Sequence, residues 1–339
     1  MIDLRSDTVT KPSKEMLTAM MTAELGDDVF GEDPTVQILQ SQLASQFNME
    51  AGLFCPSGTM CNQIAMKVHT QPMDEIICDK LSHVYYYETG GYAFNSGCSI
   101  RLIDGDQGRI TAEQIEANIQ ADFDWLPVSK LVVVENTCNK GGGAIYEIEE
   151  LRKISALCKA KGLGLHLDGA RFFNALTASE TSIEEYWGLF DSISICLSKG
   201  LGAPIGSVLL GDAAFIKRSK KVRKAFGGGM RQVGILAAAG LYALENNVAK
   251  LETDHHHASL LATELKKQSY ISNVIEPQTN IVIFDLKEDI NVADYIAFLK
   301  EEGVLVVQFG PQTVRMVTHL DVSAEDISRV AMVLTKFKH

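Results

Sequence analysis

The sequence predicts an α/β fold: a large domain built on a mostly parallel sheet covered by helices, plus a small α+β C-terminal domain. Two observations lead there. Apolar strand-like runs alternate with segments of helical periodicity through most of the 339 residues, the pattern of a layered α/β architecture. After Asn246-Asn247 the character changes to one long polar helix followed by short strands and helices. A chain of this length accommodates one large domain and a smaller companion, so the expected division is 1–245 and 246–339.

The first clear helix is expected at Asp33-Pro34, an N-cap followed by proline at the first helical position, with Val36, Leu39, Leu43 and Phe47 on one face. A strand at Ala51 to Cys55 and a helix at Met60 to His69 enclose Pro56-Ser57-Gly58-Thr59. Further strands are expected at Glu75 to Cys78, Ser99 to Ile103, Leu131 to Glu135, Leu163 to Leu167, Ser192 to Leu197 and Ser207 to Leu210, with helices at Glu149 to Lys161 and Val233 to Glu245. The C-terminal part should carry strands at Ile281 to Leu286, Leu305 to Val307 and Val314 to Thr318, and helices at Val292 to Glu302 and Ala324 to Phe337. Ser323 and Asp326 make a capping-box-like start for the last of these.

Composition excludes several classes of function. A formal net charge of −12 argues against a broad footprint for nucleic acid or an anionic membrane, so any phosphate site must be local. Seven cysteines form no CxxC pair and mostly lie in apolar runs, which reads as reduced, buried thiols in a cytoplasmic protein. The first residues lack the apolar core of a signal peptide, and no uninterrupted apolar run spans a bilayer. His255, His256 and His257 point in different directions on a helix and cannot converge on one ion, so they read as surface helix and no metal is expected.

Three segments suggest chemistry. Lys199 stands where the apolar run Ser192 to Leu197 meets Ser198-Lys199-Gly200-Leu201-Gly202, an amine at a buried strand end beside glycines that admit a flat ligand. Such an amine suits a Schiff base with an aldehyde cofactor, which makes pyridoxal phosphate the first hypothesis. Alone, a lysine there is an ordinary solvated loop charge. Asp168, at the end of a second apolar run and followed by Arg171, strengthens the reading: a buried carboxylate keeps a pyridinium nitrogen protonated, and the arginine can reach a ring hydroxyl or a substrate carboxylate. Ser57, Gly58 and Thr59 at a helix N-terminus offer backbone N–H groups and hydroxyls as a phosphate cup. His83 could stack on the ring and act as base or relay. Lys220-Lys221-Val222-Arg223-Lys224, before Gly227-Gly228-Gly229-Met230-Arg231, reads as a flexible basic stretch in which Lys224 or Arg231 could meet a phosphate, and Arg315 could fix a carboxylate with its fork.

The chain resembles the low-specificity L-threonine aldolases, pyridoxal-phosphate enzymes of the aspartate-aminotransferase fold, over nearly its whole length. The resemblance is carried by Leu4-Arg5-Ser6-Asp7-Thr8-Val9-Thr10, Gly26 to Pro34, Pro56-Ser57-Gly58-Thr59-Met60, Asp168-Gly169-Ala170-Arg171, Leu197-Ser198-Lys199-Gly200-Leu201, Gly227 to Gln232 and Arg315-Met316-Val317-Thr318-His319, in that order. It implies that Lys199 holds the cofactor, Asp168 its ring nitrogen, and Gly58 with Thr59 its phosphate. Arg171 would contact the ring hydroxyl and the substrate carboxylate, with Ser6 and Arg315 completing the carboxylate clamp. His83 would stack on the ring and handle the hydroxyl proton. Lys224 and Arg231 would reach the phosphate site of a neighbouring subunit, in a dimer whose active sites are shared and a tetramer built from it. The implied reaction is reversible cleavage of L-threonine or L-allo-threonine to glycine and acetaldehyde. The rivals are another pyridoxal chemistry, β-elimination or racemisation, and a catalytically silent pyridoxal-binding protein. Two positions depart from the family: Cys138 replaces a histidine expected near the substrate hydroxyl, and Phe30 replaces a tyrosine. The first implies an altered preference between threonine and allo-threonine.

Overall fold

The strand runs of the first half are apolar at nearly every position rather than at alternate ones, so both faces of their sheet must be covered. The computed structural model, which describes residues 1–338, has that arrangement. A short strand at Ile2–Asp3 (β1) opens the chain. The main sheet uses Ala51–Cys55 (β2), Asp74–Asp79 (β3), Ser99–Ile103 (β4), Val128–Glu135 (β5), Gly164–Gly169 (β6), Ser192–Cys196 (β7) and Ser207–Gly211 (β8), in the order β2-β8-β7-β6-β5-β3-β4. Every neighbouring pair is parallel except the two made by β8, which runs antiparallel between β2 and β7. β3, β7 and β8 are buried at every position.

The helix Pro34–Gln46 forms as its sequence dictates: Val36, Leu39, Leu43 and Phe47 all face the core. Asp33 caps it, one carboxylate oxygen accepting from the Val36 N–H at 3.1 Å. The other accepts from the Gly234 N–H at 2.8 Å, tying this helix to Gly234–Asn246.

A second core lies in the C-terminal part. Ile271–Ile275 (β9), Ile281–Leu286 (β10), Val307–Gln308 (β12, after Val304–Leu305, β11) and Thr313–Val317 (β13) include a four-stranded antiparallel sheet ordered β12-β13-β10-β9. The helices Leu251–Lys266, Val292–Glu301 and Ala324–Leu334 pack on it. Ile2 and Leu4 join this second core, because β1 pairs in parallel with β11.

Several expectations are corrected. The run Leu305 to Val307 is not one strand; it divides at Val306 between β11 and β12, which pair in different sheets. Lys220 to Lys224 is not a loop but the end of a helix, Ala213–Ala225, capped by the Asp212 carboxylate. Its buried face is Phe215, Ile216, Ser219 and Arg223, two of them polar, so the apolar period was masked. Of the three consecutive histidines only His256 is exposed: His257 is buried and His255 bonds Asn174 Oδ1 at 2.9 Å. The helix Lys14–Met21 and the edge strand β9 were not foreseen. All seven cysteines are buried free thiols, and no described helix is long and apolar enough to cross a membrane.

Candidate active site

In a parallel sheet the strand carboxyl ends share one edge, and ligand-binding loops collect there. That edge places Ser57 after β2, His83 after β3, Glu135 at the end of β5, Asp168 near the end of β6 and Lys199 after β7. Glu135 is in register with Asp168, and Asp168 with Ser194. A cavity of about 460 Å³ opens there, lined by Ser6, His83, Arg171, Lys199 and Arg315, together with Tyr87 and Lys140.

Asp168 is almost fully buried. Its Oδ1 accepts from the Ala170 N–H at 3.1 Å and its Oδ2 from Asn62 Nδ2 at 2.7 Å. Asn62 lies one turn along the helix Gly58–His69 from Gly58, so both face the sheet edge. The same Nδ2 donates to Glu88 Oε1 at 2.9 Å, and Gln63 Nε2 donates to Glu88 Oε2 at 2.6 Å. A carboxylate only accepts, which fixes the Asn62 amide with its oxygen pointing the other way. That oxygen accepts from Ser194 Oγ at 2.8 Å and meets His166 Nε2 at 3.1 Å. His166 Nε2 therefore carries the proton, Nδ1 accepts from Ser192 Oγ at 2.8 Å, and Ser192 in turn accepts from His69 Nε2 at 2.8 Å. Burial pushes His166 down to about 3 and His69 down to about 4. Both rings are neutral at neutral pH.

His83 starts a short helix with its N–H on Glu135 Oε2 at 2.8 Å and its Nδ1 3.0 Å from Glu88 Oε1. Burial opposes its positive charge, but the Glu88 hydrogen bond and the Asp168 and Glu135 carboxylates outweigh it, and its pKa is raised. With Nδ1 held by Glu88, Nε2 is the nitrogen left for proton exchange. A ring nitrogen of His83 and carboxylate oxygens of Glu88 and Asp168 lie within 4.8 Å of one another, and Asn62 donates to both carboxylates. A base is active only when deprotonated, so a raised pKa moves the acid limb of activity upward. The kcat/KM profile is expected to rise with a midpoint above the ordinary histidine value of 6.5, and Glu88→Gln to move it down. An unmoved limb would assign it to another group.

Arg171 is buried, its Nε and Nη2 each 2.7 Å from an oxygen of Asp7. Burial alone would raise the Asp7 carboxyl, yet the guanidinium holds it well below its usual range. Among the described residues Arg315 has no carboxylate: Nη1 donates to Asn139 Oδ1 at 2.8 Å, Nη2 to the Arg5 carbonyl at 2.9 Å, and Nε is buried without a partner. Burial, with the nearby Arg171 charge, lowers it to about 10, so it is cationic at neutral pH. Ser6 Oγ accepts from the Thr8 N–H at 3.2 Å at the pocket rim.

Lys224 and Arg231 are not brought to this pocket in the single chain. Both are exposed; Arg231 pairs with Asp27 at 2.9 Å and lies 5.6 Å from the Phe30 ring centroid. Cys138 is absent from the pocket wall as well. Its thiol, pushed well up by burial and by Glu135, packs beneath Gly108, where an added Cβ would stand 1.9 Å from Sγ. The expected effect of Cys138 on the substrate hydroxyl is therefore not supported by its position. Asp7, Asn62, Glu88, Glu135 and Lys140 were missed; only Glu88, a carboxylate five residues beyond His83 in an aromatic run, left a local signal.

The pocket fits a phosphorylated aldehyde ring. The first N–H groups of the helix Gly58–His69 have no intrahelical acceptor, and the hydroxyl of Ser207, next to Gly58, is buried without a partner. A free amine and a buried carboxylate stand at neighbouring strand ends. Fold and site together suit a pyridoxal-phosphate-dependent enzyme, and comparison with known proteins makes it a lyase. The model of the beta-eliminating lyase family matches residues 3–289. Low-specificity L-threonine aldolase of Escherichia coli K12 is 42% identical over 332 residues, covering 98% of this chain and 97% of the relative. Low-specificity L-threonine aldolase 1 of Arabidopsis thaliana is 39% identical, covering 96% and 93%. The solved threonine aldolase of Leishmania major superposes with a TM-score of 0.84 at 22% identity, covering 99% of each chain. The chain belongs to the low-specificity L-threonine aldolases, within the beta-eliminating lyase family.

Proposed function

We propose that the protein cleaves L-threonine and L-allo-threonine, and related β-hydroxy-α-amino acids, reversibly to glycine and an aldehyde. The observation that carries this reading is one pocket holding a free amine, Lys199, a cation without a carboxylate, Arg315, and a carboxylate-bound histidine, His83. Lys199 would hold pyridoxal phosphate, Asp168 its ring nitrogen, and Gly58 and Thr59 its phosphate. Bound there, the cofactor supplies an electron sink for the pair released when the Cα–Cβ bond breaks.

The chain supplies position and proton transfer. Arg315 and Ser6 bind the substrate carboxylate, and the Nη1 of Arg171 is the part of that side chain not held by Asp7. Fixing the carboxylate orients the bond to be broken. His83 Nε2 takes the β-hydroxyl proton, directly or through a water, while Glu88 holds the ring and stabilises the imidazolium. Lys199→Ala is expected to abolish both turnover and the visible absorbance of the bound cofactor; full activity in that variant would sink the assignment. Assaying acetaldehyde and glycine from threonine against pyruvate and ammonia from serine separates aldol cleavage from β-elimination.

The exposed Lys224 and Arg231, outside their own chain's pocket, support a dimer in which they complete the partner's phosphate site, and a tetramer of such dimers. Reduced, buried thiols support a cytoplasmic setting.

A further inference from the structure

We propose that the site accepts β-hydroxy-α-amino acids whose β-substituent ends in an anion, a carboxylate or a phosphate, and that Lys140 anchors that group. The proposal rests on the aldol reading above and names a substrate class within it.

Lys140 follows Asn139 in the loop after β5 and lines the same cavity as Lys199 and Arg315. Among the described residues no acidic side chain pairs with it. Its Nζ is instead held between aromatic rings, 4.2 Å from the Tyr86 centroid, 4.6 Å from Phe309 and 5.9 Å from Tyr87. Cation–π contacts hold an ammonium in place, but they leave its charge uncompensated and its N–H donors short of acceptors. A cage of this kind presents the charge already positioned, so less side-chain freedom is lost when an anion arrives.

Charge balance in the cavity points the same way. Arg171 is neutralised by Asp7. Among the described residues Arg315 and Lys140 have no carboxylate, and they share one ring: the Arg315 Cζ also lies 4.6 Å from the Phe309 centroid. A threonine brings one carboxylate to this pair of cations. A substrate with a second anion would satisfy both.

Position sets which end of the substrate faces Lys140. The Tyr87 ring lies 5.5 Å from the His83 ring and 5.9 Å from Lys140 Nζ, so Lys140 lies next along from His83, the group assigned to the β-hydroxyl. A β-substituent leaving the carbinol carbon past Tyr87 meets the ammonium. For 3-hydroxyaspartate the Cα–Cβ bond breaks, the hydroxyl proton passes to His83, Cβ becomes the aldehyde carbon of glyoxylate, and Cα takes a proton to give glycine. No oxidant or co-reactant is needed.

The test compares kcat/KM of the holoenzyme and of Lys140→Met on threonine, 3-hydroxyaspartate, and 4-hydroxythreonine with and without a 4-phosphate. The wild type is expected to cleave at least one anionic substrate, and its ratio to threonine should fall at least tenfold in the variant. A fall on 3-hydroxyaspartate alone identifies a carboxylate, a fall on the phosphate ester alone a phosphate. L-Aspartate, which lacks the hydroxyl, should inhibit threonine cleavage competitively, with a Ki raised in the variant. Unchanged ratios, including an equal loss on every substrate, overturn the proposal, because Lys140 would then serve the α-carboxylate or only the fold. Failure of the wild type on threonine itself would instead overturn the aldol reading.

Discussion

Replacing Arg315 with methionine is expected to lower kcat/KM on threonine by at least about thirtyfold, mostly through KM, because truncating one side of a buried charge-assisted contact costs about 2–5 kcal/mol. The methionine keeps an aliphatic stem and removes the fork, together with its stacking on the Phe309 ring. Three features set the size of the effect. The guanidinium is buried, it makes just two hydrogen bonds to neutral oxygens, and its Nε has no acceptor. The side chain is thus poised for an anion that the described residues do not provide. Arg315→Lys should recover only part of the loss, since a point charge cannot grip a carboxylate at two places. Equal KM values for wild type and Arg315→Met would move the carboxylate site elsewhere in the pocket.

The largest effect on stability is expected at Asp7. Asp7→Ala leaves the Arg171 guanidinium buried without its counter-charge, and breaking a buried pair from one side costs about 3–5 kcal/mol. A urea midpoint unchanged from wild type would contradict this. The pH dependence has a definite sign. The Asp7 carboxyl is depressed in the folded protein, so its contribution is complete above the unfolded value near 3.8 and is lost as pH falls below that. At neutral pH the pair is fully formed. The variant should also bind substrate less well, because Asp7 fixes two of the Arg171 nitrogens at the pocket wall.

The parts of this site that were legible in the sequence are those set by local pattern. Lys199 and Asp168 each end an apolar run, and a buried run that stops at a polar residue marks a strand end at the sheet edge. Gly58 and Thr59 were legible because a turn followed by helical periodicity defines a helix start. What was not legible depends on pairings across the chain. Asp7 and Arg171 are 164 residues apart, and nothing near Asp7 in sequence announces a buried partner. Asn62 looked like one polar residue on an otherwise apolar helix face, yet it bridges Asp168 to Glu88. The switch at Val306 escaped for another reason: apolar character specifies burial, but it does not specify which sheet a strand joins. The basic helix Ala213–Ala225 was obscured because Arg223 is buried through a bond to the Phe54 carbonyl and a pair with Asp28, a polar way of being inside.

The line of hydrogen bonds from His69 through Ser192, His166 and Asn62 has a direction: each proton in it points toward Asp168. Both imidazoles take up a proton only below about 4. Near neutral pH this interior line neither gains nor loses charge, and its N–H and O–H dipoles all point toward Asp168. Of the three imidazoles tied into the Asp168 network, the two interior ones thus keep a fixed charge, and the one that changes charge is His83, joined to Asp168 through Glu88 and Asn62.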